Sequence, residues 1–351
     1  MKLSPVIRRS IARGIEHGDF LRGTSARLDD AFGYREWLHF CLSADGIDLV
    51  VNFSLADDTR PAAPSGTEAA RLVCIVRSTG WDGDVEQFAP RDVRVSRGRV
   101  DMRFGESYVR YERGAFRVRV RCRARALSVD LSLRPTTLPS VVNDIVLSDD
   151  LPCHWFLVPR LLATGTVEAS GRVHELVDVP AYHDHNWGYF RWGHDFAWMW
   201  GYAHEQGPSD PWTFVFDRLT NRAKTIDCGR GIVLWKGARQ QRLFGARDIS
   251  FREHGYLRPR STIKLPRALA LLSSGDAMSL PAEIQGLARN QNDSLEFVFR
   301  GEHACHILVP NDDDLGLTAI SEVSGELSFC GVVAGEPMEG RIRAMFEFLG
   351  A

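Results

Sequence analysis

At 351 residues the chain exceeds the length at which one hydrophobic core stops growing, so two domains are expected. Apolar residues make up 44% and charged residues 25%, the proportions of a globular chain. The formal charge of −2, from 43 basic and 45 acidic residues, argues against a nucleic-acid binder, which needs a strongly basic face.

Residues 1–18 place Arg8, Arg9 and Arg13 among Val6, Ile7, Ile11 and Ile15. That spacing predicts a short amphipathic helix within an N-terminal segment, 1–22, and lacks the continuous apolar run of a signal peptide. No window approaches the roughly 18–20 unbroken apolar residues of a membrane span. Beyond the helix the pattern is almost entirely β. Tyr34 to Ser43 alternates and Gly46 to Leu55 answers it across Ala44-Asp45-Gly46, a hairpin signal. Residues 57–68 form a polar, proline-containing loop, and Arg71 to Ser78 is the next strand. From Phe116 to Leu133 a period of two sets Phe116, Val118, Val120, Cys122, Ala124 and Ala126 against a ladder of Arg117, Arg119, Arg121, Arg123 and Arg125. The ladder is read as a solvated face that leaves open peripheral contact with an anionic membrane.

Strand patterns continue at Trp155–Pro159, Leu161–Ala169 and Arg172–Val179, then through Phe196–Ala203 and Trp212–Leu219 around a polar loop. Shorter ones follow at Ile232–Trp235, Arg242–Phe244, Leu295–Phe299, Ile307–Val309, Ser324–Val333 and Met338–Phe348. Leu265 to Ser273 is the only other helical pattern, with a proline in its first turn. About twenty strands with few helices call for sandwiches or barrels, in two similar β units. Seven scattered cysteines without CxxC spacing read as reduced thiols, mostly buried, in a cytoplasmic protein.

The most chemically loaded stretch is Tyr182-His183-Asp184-His185-Asn186-Trp187-Gly188, followed by Phe196, Trp198, Trp200 and Tyr202. An extended backbone points His183, His185 and Trp187 to one face and Asp184 and Asn186 to the other. Pro180 and Gly188 suit a strand entered and left sharply. A metal held by His183 and His185 with His204 or Glu205 is disfavoured, because the third ligands are scattered. No Gly-x-Ser-x-Gly elbow, GxGxxG or Walker sequence is present.

What remains is acid–base chemistry without cofactor or metal. A carboxyl desolvated among aromatics holds a proton at neutral pH, and an indole face stabilises an adjacent cation. Such parts protonate an alkene and shelter the carbocation. Asp184 and Asp217 are the candidate acids, and Trp198 and Trp200 are candidate pocket walls.

Tyr182 to Gly188 resembles the signature of the lipocalin-like hydroxyneurosporene synthase (carotenoid 1,2-hydratase) superfamily, whose wider relatives include tocopherol cyclases and fungal Diels–Alder cyclases. Glu36-Trp37-Leu38-His39-Phe40 is similar to that family's Glu-Trp-Trp opening strand, and Trp155-Phe156-Leu157-Val158-Pro159 to its Trp-x-Val-Pro segment. Leu38 stands where the family has a second Trp, and no tyrosine precedes Asp217. The resemblance implies an all-β fold of two tandem lipocalin-like antiparallel barrels with a few short helices, at 23–188 and 189–351. It implies a ligand cavity near the barrel interface, and it carries catalytic roles onto His185, Trp187 and Asp217.

The expected function is a cofactor-free hydratase or cyclase acting on a carbon–carbon double bond of a hydrophobic isoprenoid or polyene. Asp217 or Asp184 would be the acid, His185 would position or relay the proton, and Trp187 would face the cation. Trp37, Tyr182, His183, Trp198, Trp200 and Tyr202 would contact the substrate. The rivals are a pericyclase working by proximity and a lipid-binding protein without chemistry.

Overall fold

A computed structural model describes residues 3–22, 34–44, 46–57, 70–146, 152–189, 195–258, 261–264, 280–310 and 317–350. The chain divides into two compact units, Leu3–Arg191 and Trp192–Ala351. One of the sheets is a nearly closed antiparallel barrel and the other a second antiparallel sheet, so the chain is all-β with few helices. The helical pattern at Leu265–Ser273 and most of the 57–68 loop lie outside the described residues.

In the first unit, helix α1 (Pro5–Gly18) starts where the Ser4 side chain accepts from the Ile7 N–H and proline occupies the first turn. It buries Ile11 and Ile15 and ends with the Asp19 N–H donating to the Ile15 carbonyl. Gly18 permits close seating on the sheet, since a Cβ there would stand 2.6 Å from Phe156. The strands are β1 (Tyr34–Ala44), β2 (Ile47–Asp57), β3 (Ala70–Arg77), β4 (Trp81–Phe88), β5 (Val93–Val95), β6 (Asp101–Phe104), β7 (Ser107–Glu112), β8 (Ala115–Arg121), β9 (Ser128–Pro135), β10 (Ser140–Val146), β11 (Pro152–Ala169) and β12 (Arg172–Tyr189). They run in the order β4-β3-β2-β1-β12-β11-β9-β8-β7-β6-β5, with β10 also paired to β11. β12 therefore lies between β1 and β11 in the middle of the sheet.

Three local readings change. The period-two run of Phe116 to Leu133 is two strands, β8 and β9, joined by a turn in which Ala124 and Ala126 are exposed. The arginines beside it find acids, Arg123 with Glu86 at 3.2 Å and Arg125 with Asp82 at 3.2 Å. Strands expected to be separate fuse into the 18-residue β11 and β12. Bulges near Val158 and Gly165 let the long strands bend without ending. Pro180 consequently lies inside β12, paired with Leu162, and the irregularity falls at Asp178, whose φ is +51°.

The second unit contains β13 (Ala197–His204), β14 (Trp212–Thr220), β15 (Asp227–Lys236), β16 (Arg239–Phe244), β17 (Ile249–His254), β18 (Ser261–Lys264), β19 (Glu283–Asn290), β20 (Asp293–Pro310), β21 (Leu317–Val333) and β22 (Glu336–Gly350). Their order is β16-β15-β14-β13-β22-β21-β20-β19-β17, with β18 pairing parallel to β20. Met199, Ala203, Phe214, Phe216, Phe297, Phe346 and Phe348 pack into this unit's core. All seven cysteines are free thiols; Cys41, Cys74 and Cys305 are buried, whereas Cys330 is exposed. No helix among the described residues is long and apolar enough to cross a membrane.

Candidate functional site

The alternation of β12 divides the motif between two environments. His183, His185 and Trp187 face the interior of the first unit, level with Phe40, Leu38 and Glu36 on β1. There they meet Asp19, delivered by the end of α1. His183 Nε2 lies 2.9 Å from Asp19 Oδ2, and His185 Nδ1 lies 2.7 Å from Asp19 Oδ1. His185 Nε2 lies 2.9 Å from Glu36 Oε1, and the Tyr34 hydroxyl donates to Glu36 Oε2 at 2.8 Å. The side chains of Asp19, Glu36, His183 and His185 are wholly buried.

The proton count follows from geometry. His183 Nδ1 must donate to the His39 carbonyl at 2.9 Å, so its Nε2 needs a second hydrogen to bond Asp19. His185 faces a carboxylate oxygen with each nitrogen and needs a hydrogen on both. The four groups are therefore satisfied as two imidazolium–carboxylate pairs, or equivalently with protons moved onto the acids. Burial pushes the Asp19 carboxyl up, but the His183 and His185 contacts outweigh it and hold it well below the usual range. Glu36 is lowered by the same balance through His185. Burial pushes His185 down, and its bonds to Asp19 and Glu36 raise it above its ordinary value.

Trp187 is engaged as well. The Arg22 guanidinium carbon lies 3.2 Å from its ring centroid, and His154 stacks on it at 5.2 Å. Arg22 also donates to the Phe20 and Gly18 carbonyls, at 2.8 and 2.9 Å. A cleft of about 140 Å³ bordered by Glu16, Arg99, Tyr111 and Arg113 reaches Asp19. That is smaller than the several hundred Å³ of ordinary ligand sites.

Asp184 points away from this cluster, on the opposite face of β12. The Tyr182 hydroxyl donates to its Oδ2 at 3.1 Å and the Asn186 amide to its Oδ1 at 2.9 Å. Trp37 and His39 share that face, paired with Asn186 and Asp184. Burial, and then proximity to His183, pushes His39 down to about 3, so its imidazole is neutral.

In the second unit Trp198, Trp200 and Tyr202 lie on the face of β13 opposite the core, and Trp200 pairs across the strands with Asp217 of β14. Directly paired residues present their side chains side by side. The Asp217 carboxyl lies over Gly231, where a Cβ would stand 2.6 Å from Oδ1. Its neighbour Arg218 bonds Asp227 at 2.9 Å and Glu253 at 3.3 Å. Burial pushes Asp217 up to about 7. The Trp198 indole donates to Glu347 at 2.6 Å.

Of the residues singled out from sequence, His183, His185 and Trp187 come together in one cluster, Trp37, Tyr182 and Asp184 on the reverse face, and Trp198, Trp200, Tyr202 and Asp217 on one face of the other unit. Asp19 and Glu347 carry no sequence signal, since their partners are remote in the chain; Tyr34 and Arg22 carry none either, although Tyr34 bonds nearby Glu36 and Arg22 nearby Gly18 and Phe20. Glu36 was visible only as part of a motif.

No family model and no curated protein sequence matches the chain. Solved structures do match. The AttH-like protein of Nitrosomonas europaea superposes with a TM-score of 0.57 at 12% identity, over 93% of this chain and 98% of that one. Kievitone hydratase of Nectria haematococca gives 0.54 at 12% identity, over 95% and 94% of the two chains. CghA with Sch210972 gives 0.58 at 10% identity, over 94% of each. At such identities the likeness establishes a shared two-unit β architecture.

Proposed function

We propose that the protein is a cofactor-independent hydratase or cyclase of the lipocalin-like hydratase and cyclase superfamily. It protonates a carbon–carbon double bond of a hydrophobic isoprenoid or polyene, with Asp217 as the acid. The observation that carries this reading is a carboxyl raised to about 7 directly beside an indole, Asp217 next to Trp200. An acid whose proton affinity matches neutral pH is the efficient donor for general acid catalysis. Two shared-fold neighbours support the class: one is named a hydratase, and CghA holds Sch210972.

The roles follow from the surroundings. Both oxygens of Asp184 accept hydrogen bonds, an acceptor's arrangement that leaves Asp217 the better donor. Trp187 already faces a guanidinium, so Trp200 is assigned to the cation. Enclosed between Asp19 and Glu36, His185 positions β12 and touches no substrate.

The test is turnover of a panel of polyenes and isoprenoid alkenes in deuterium oxide. Wild-type protein should place solvent deuterium in the product, and D217N should be slower by roughly 10²–10⁴-fold. Product without solvent deuterium and a flat pH–rate profile would assign a pericyclic reaction instead. An unaltered co-purifying lipid with no turnover would assign binding alone.

A further inference from the structure

The outward face of β5 to β8 in the first unit gathers arginines. The register sets Arg94 opposite Arg103, Arg103 opposite Tyr108, Tyr108 opposite Arg119, and Arg110 opposite Arg117. The alternate residues Met102, Phe104, Val109, Phe116 and Val118 are buried in the core, so the five arginines share the other side of the sheet. Arg94, Arg103 and Arg117 are exposed, and Arg110 and Arg119 are half-buried. With about 4.8 Å between strands and about 3.3 Å per residue, their backbone positions fall within a field of roughly 15 Å by 7 Å.

None of the five makes an ion pair among the described residues. The acids bordering the field are engaged by other arginines, Asp101 by Arg99 at 2.9 Å and Asp130 by Arg121 at 3.7 Å. Glu106 and Glu112 stand outside it, at the two ends of β7. Arg103 donates only to the Gly105 carbonyl, at 3.0 Å, and the Arg110 guanidinium carbon lies 4.4 Å from the Tyr108 ring centroid. The Nε–H groups of Arg110 and Arg119 are buried and have no acceptor among the described residues. Like charges directly opposite on paired strands are destabilising, and at less than a Debye length of about 8 Å salt screens them poorly. An anionic surface laid on this face removes that repulsion and supplies acceptors.

We propose that this arginine face docks on the surface of an anionic lipid bilayer, through the headgroup phosphates. The guanidinium groups are spread over four adjacent strands, an arrangement that meets a sheet of charges. Single-stranded nucleic acid is recognised by stacking bases on aromatic rings. Tyr108, half-buried beside Arg110, is the only outward aromatic on β5 to β8. The chain as a whole carries a formal charge of −2, so attraction to anions rests on the local field. Each arginine brought to an anionic leaflet raises partitioning by roughly fivefold, which gives reversible adsorption. The contact goes beyond the hydratase or cyclase reading and requires none of its chemistry, although a substrate dissolved in lipid gives such an enzyme reason to visit a membrane.

Co-sedimentation of the full chain with phosphatidylcholine vesicles, with and without phosphatidylglycerol, tests the contact at about 0.1 M and about 1 M salt. Wild-type protein should pellet with the phosphatidylglycerol vesicles at the lower salt, be released at the higher, and ignore phosphatidylcholine alone. R94Q/R103Q/R117Q, which removes the three exposed arginines, should bind roughly 100-fold more weakly with its circular dichroism unchanged. R94K/R103K/R117K should keep most of the binding, because a lipid surface reads charge and not the planar fork. R289Q/R300Q/R341Q, an equal loss of charge on exposed positions of the other unit, should bind as wild type does. Wild-type protein that does not bind, or binds both kinds of vesicle equally, overturns the proposal. So does binding that survives R94Q/R103Q/R117Q or is lost in R94K/R103K/R117K. A duplex oligonucleotide that displaces the vesicles at a lower concentration of phosphate also overturns it, and would assign the face to nucleic acid.

Discussion

The carboxyl groups in the two units are both withdrawn from water yet driven in opposite directions. Asp19 and Glu36 lie against imidazoles and are held below the ordinary carboxylate range. Asp217 and Glu347 lie beside indoles, and burial raises them. Burial alone therefore does not make an acid; the identity of the neighbour decides. A buried carboxylate matched by imidazolium is a fastening, whereas one whose burial is not offset by a neighbouring cation retains a proton to give. The histidine-rich motif is the more conspicuous in sequence, and on the proposed reading it is the fastening.

Breaking the fastening should have the largest effect on stability. D19N keeps the size of the side chain but removes the charge that faces both imidazoles. Loss of one partner from a buried ionic cluster costs about 3–5 kcal/mol. Denaturation of D19N beside wild type at pH 6 measures it, and a difference under about 1 kcal/mol would mean the cluster is not ionic. The pH dependence has a definite sign. Asp19 is lowered from 3.8, so its contribution is present above that value and lost as pH falls through the folded one. His185 is raised from 6.5, so its contribution is present below 6.5 and lost as pH rises through the folded value. The D19N penalty should accordingly be greatest between about pH 4 and 6.5 and should shrink in alkali.

D217N should act in the reverse sense. The folded chain binds this proton more tightly than the unfolded chain, at about 7 against 3.8. Ionisation therefore costs stability progressively from about pH 4 through 7, and the full cost applies above that. At roughly 1.4 kcal/mol per pH unit the ceiling is about 4 kcal/mol, and the partial exposure of Asp217 reduces it to the order of 1–2 kcal/mol. D217N should be more stable than wild type at pH 9 and equal to it at pH 3.5, while turning over more slowly. A site that trades stability for activity behaves this way, and a structural carboxylate does not. Equal destabilisation of D217N at both pH values would place Asp217 with Asp19.

The fold was legible where one face of a strand is buried and the other wet. The β1–β2 hairpin, the alternation of Ala115–Arg121 and the β13–β14 pair all announce themselves by period. The long strands did not, because the bulges that carry β11 past Val158 and Gly165 look in sequence like strand ends. Alternation also assigned His183, His185 and Trp187 to one side of β12. It offered no view of what waits there, since Asp19 is 164 residues from His183 and sits at a helix end with no pattern around it. The pairing of Asp217 with Trp200 needed the register, which a polar loop of uncertain turn geometry does not specify.

The smallest expected effect sharpens the assignment of the indoles. Arg22 covers Trp187 and ties its guanidinium to the Phe20 and Gly18 carbonyls. R22M keeps the apolar stem and removes both interactions, while R22K keeps a charge without the planar fork. The ring contact is worth about 0.5–2 kcal/mol, so R22M should lower stability by that order and change indole emission. R22K should recover the part that belongs to charge over the ring but not the part that belongs to the carbonyl ties. Turnover should be unaffected in either variant, because the cation is assigned to Trp200 on the other unit. A selective change in turnover on uncovering Trp187, with folding intact, would return that role to the motif.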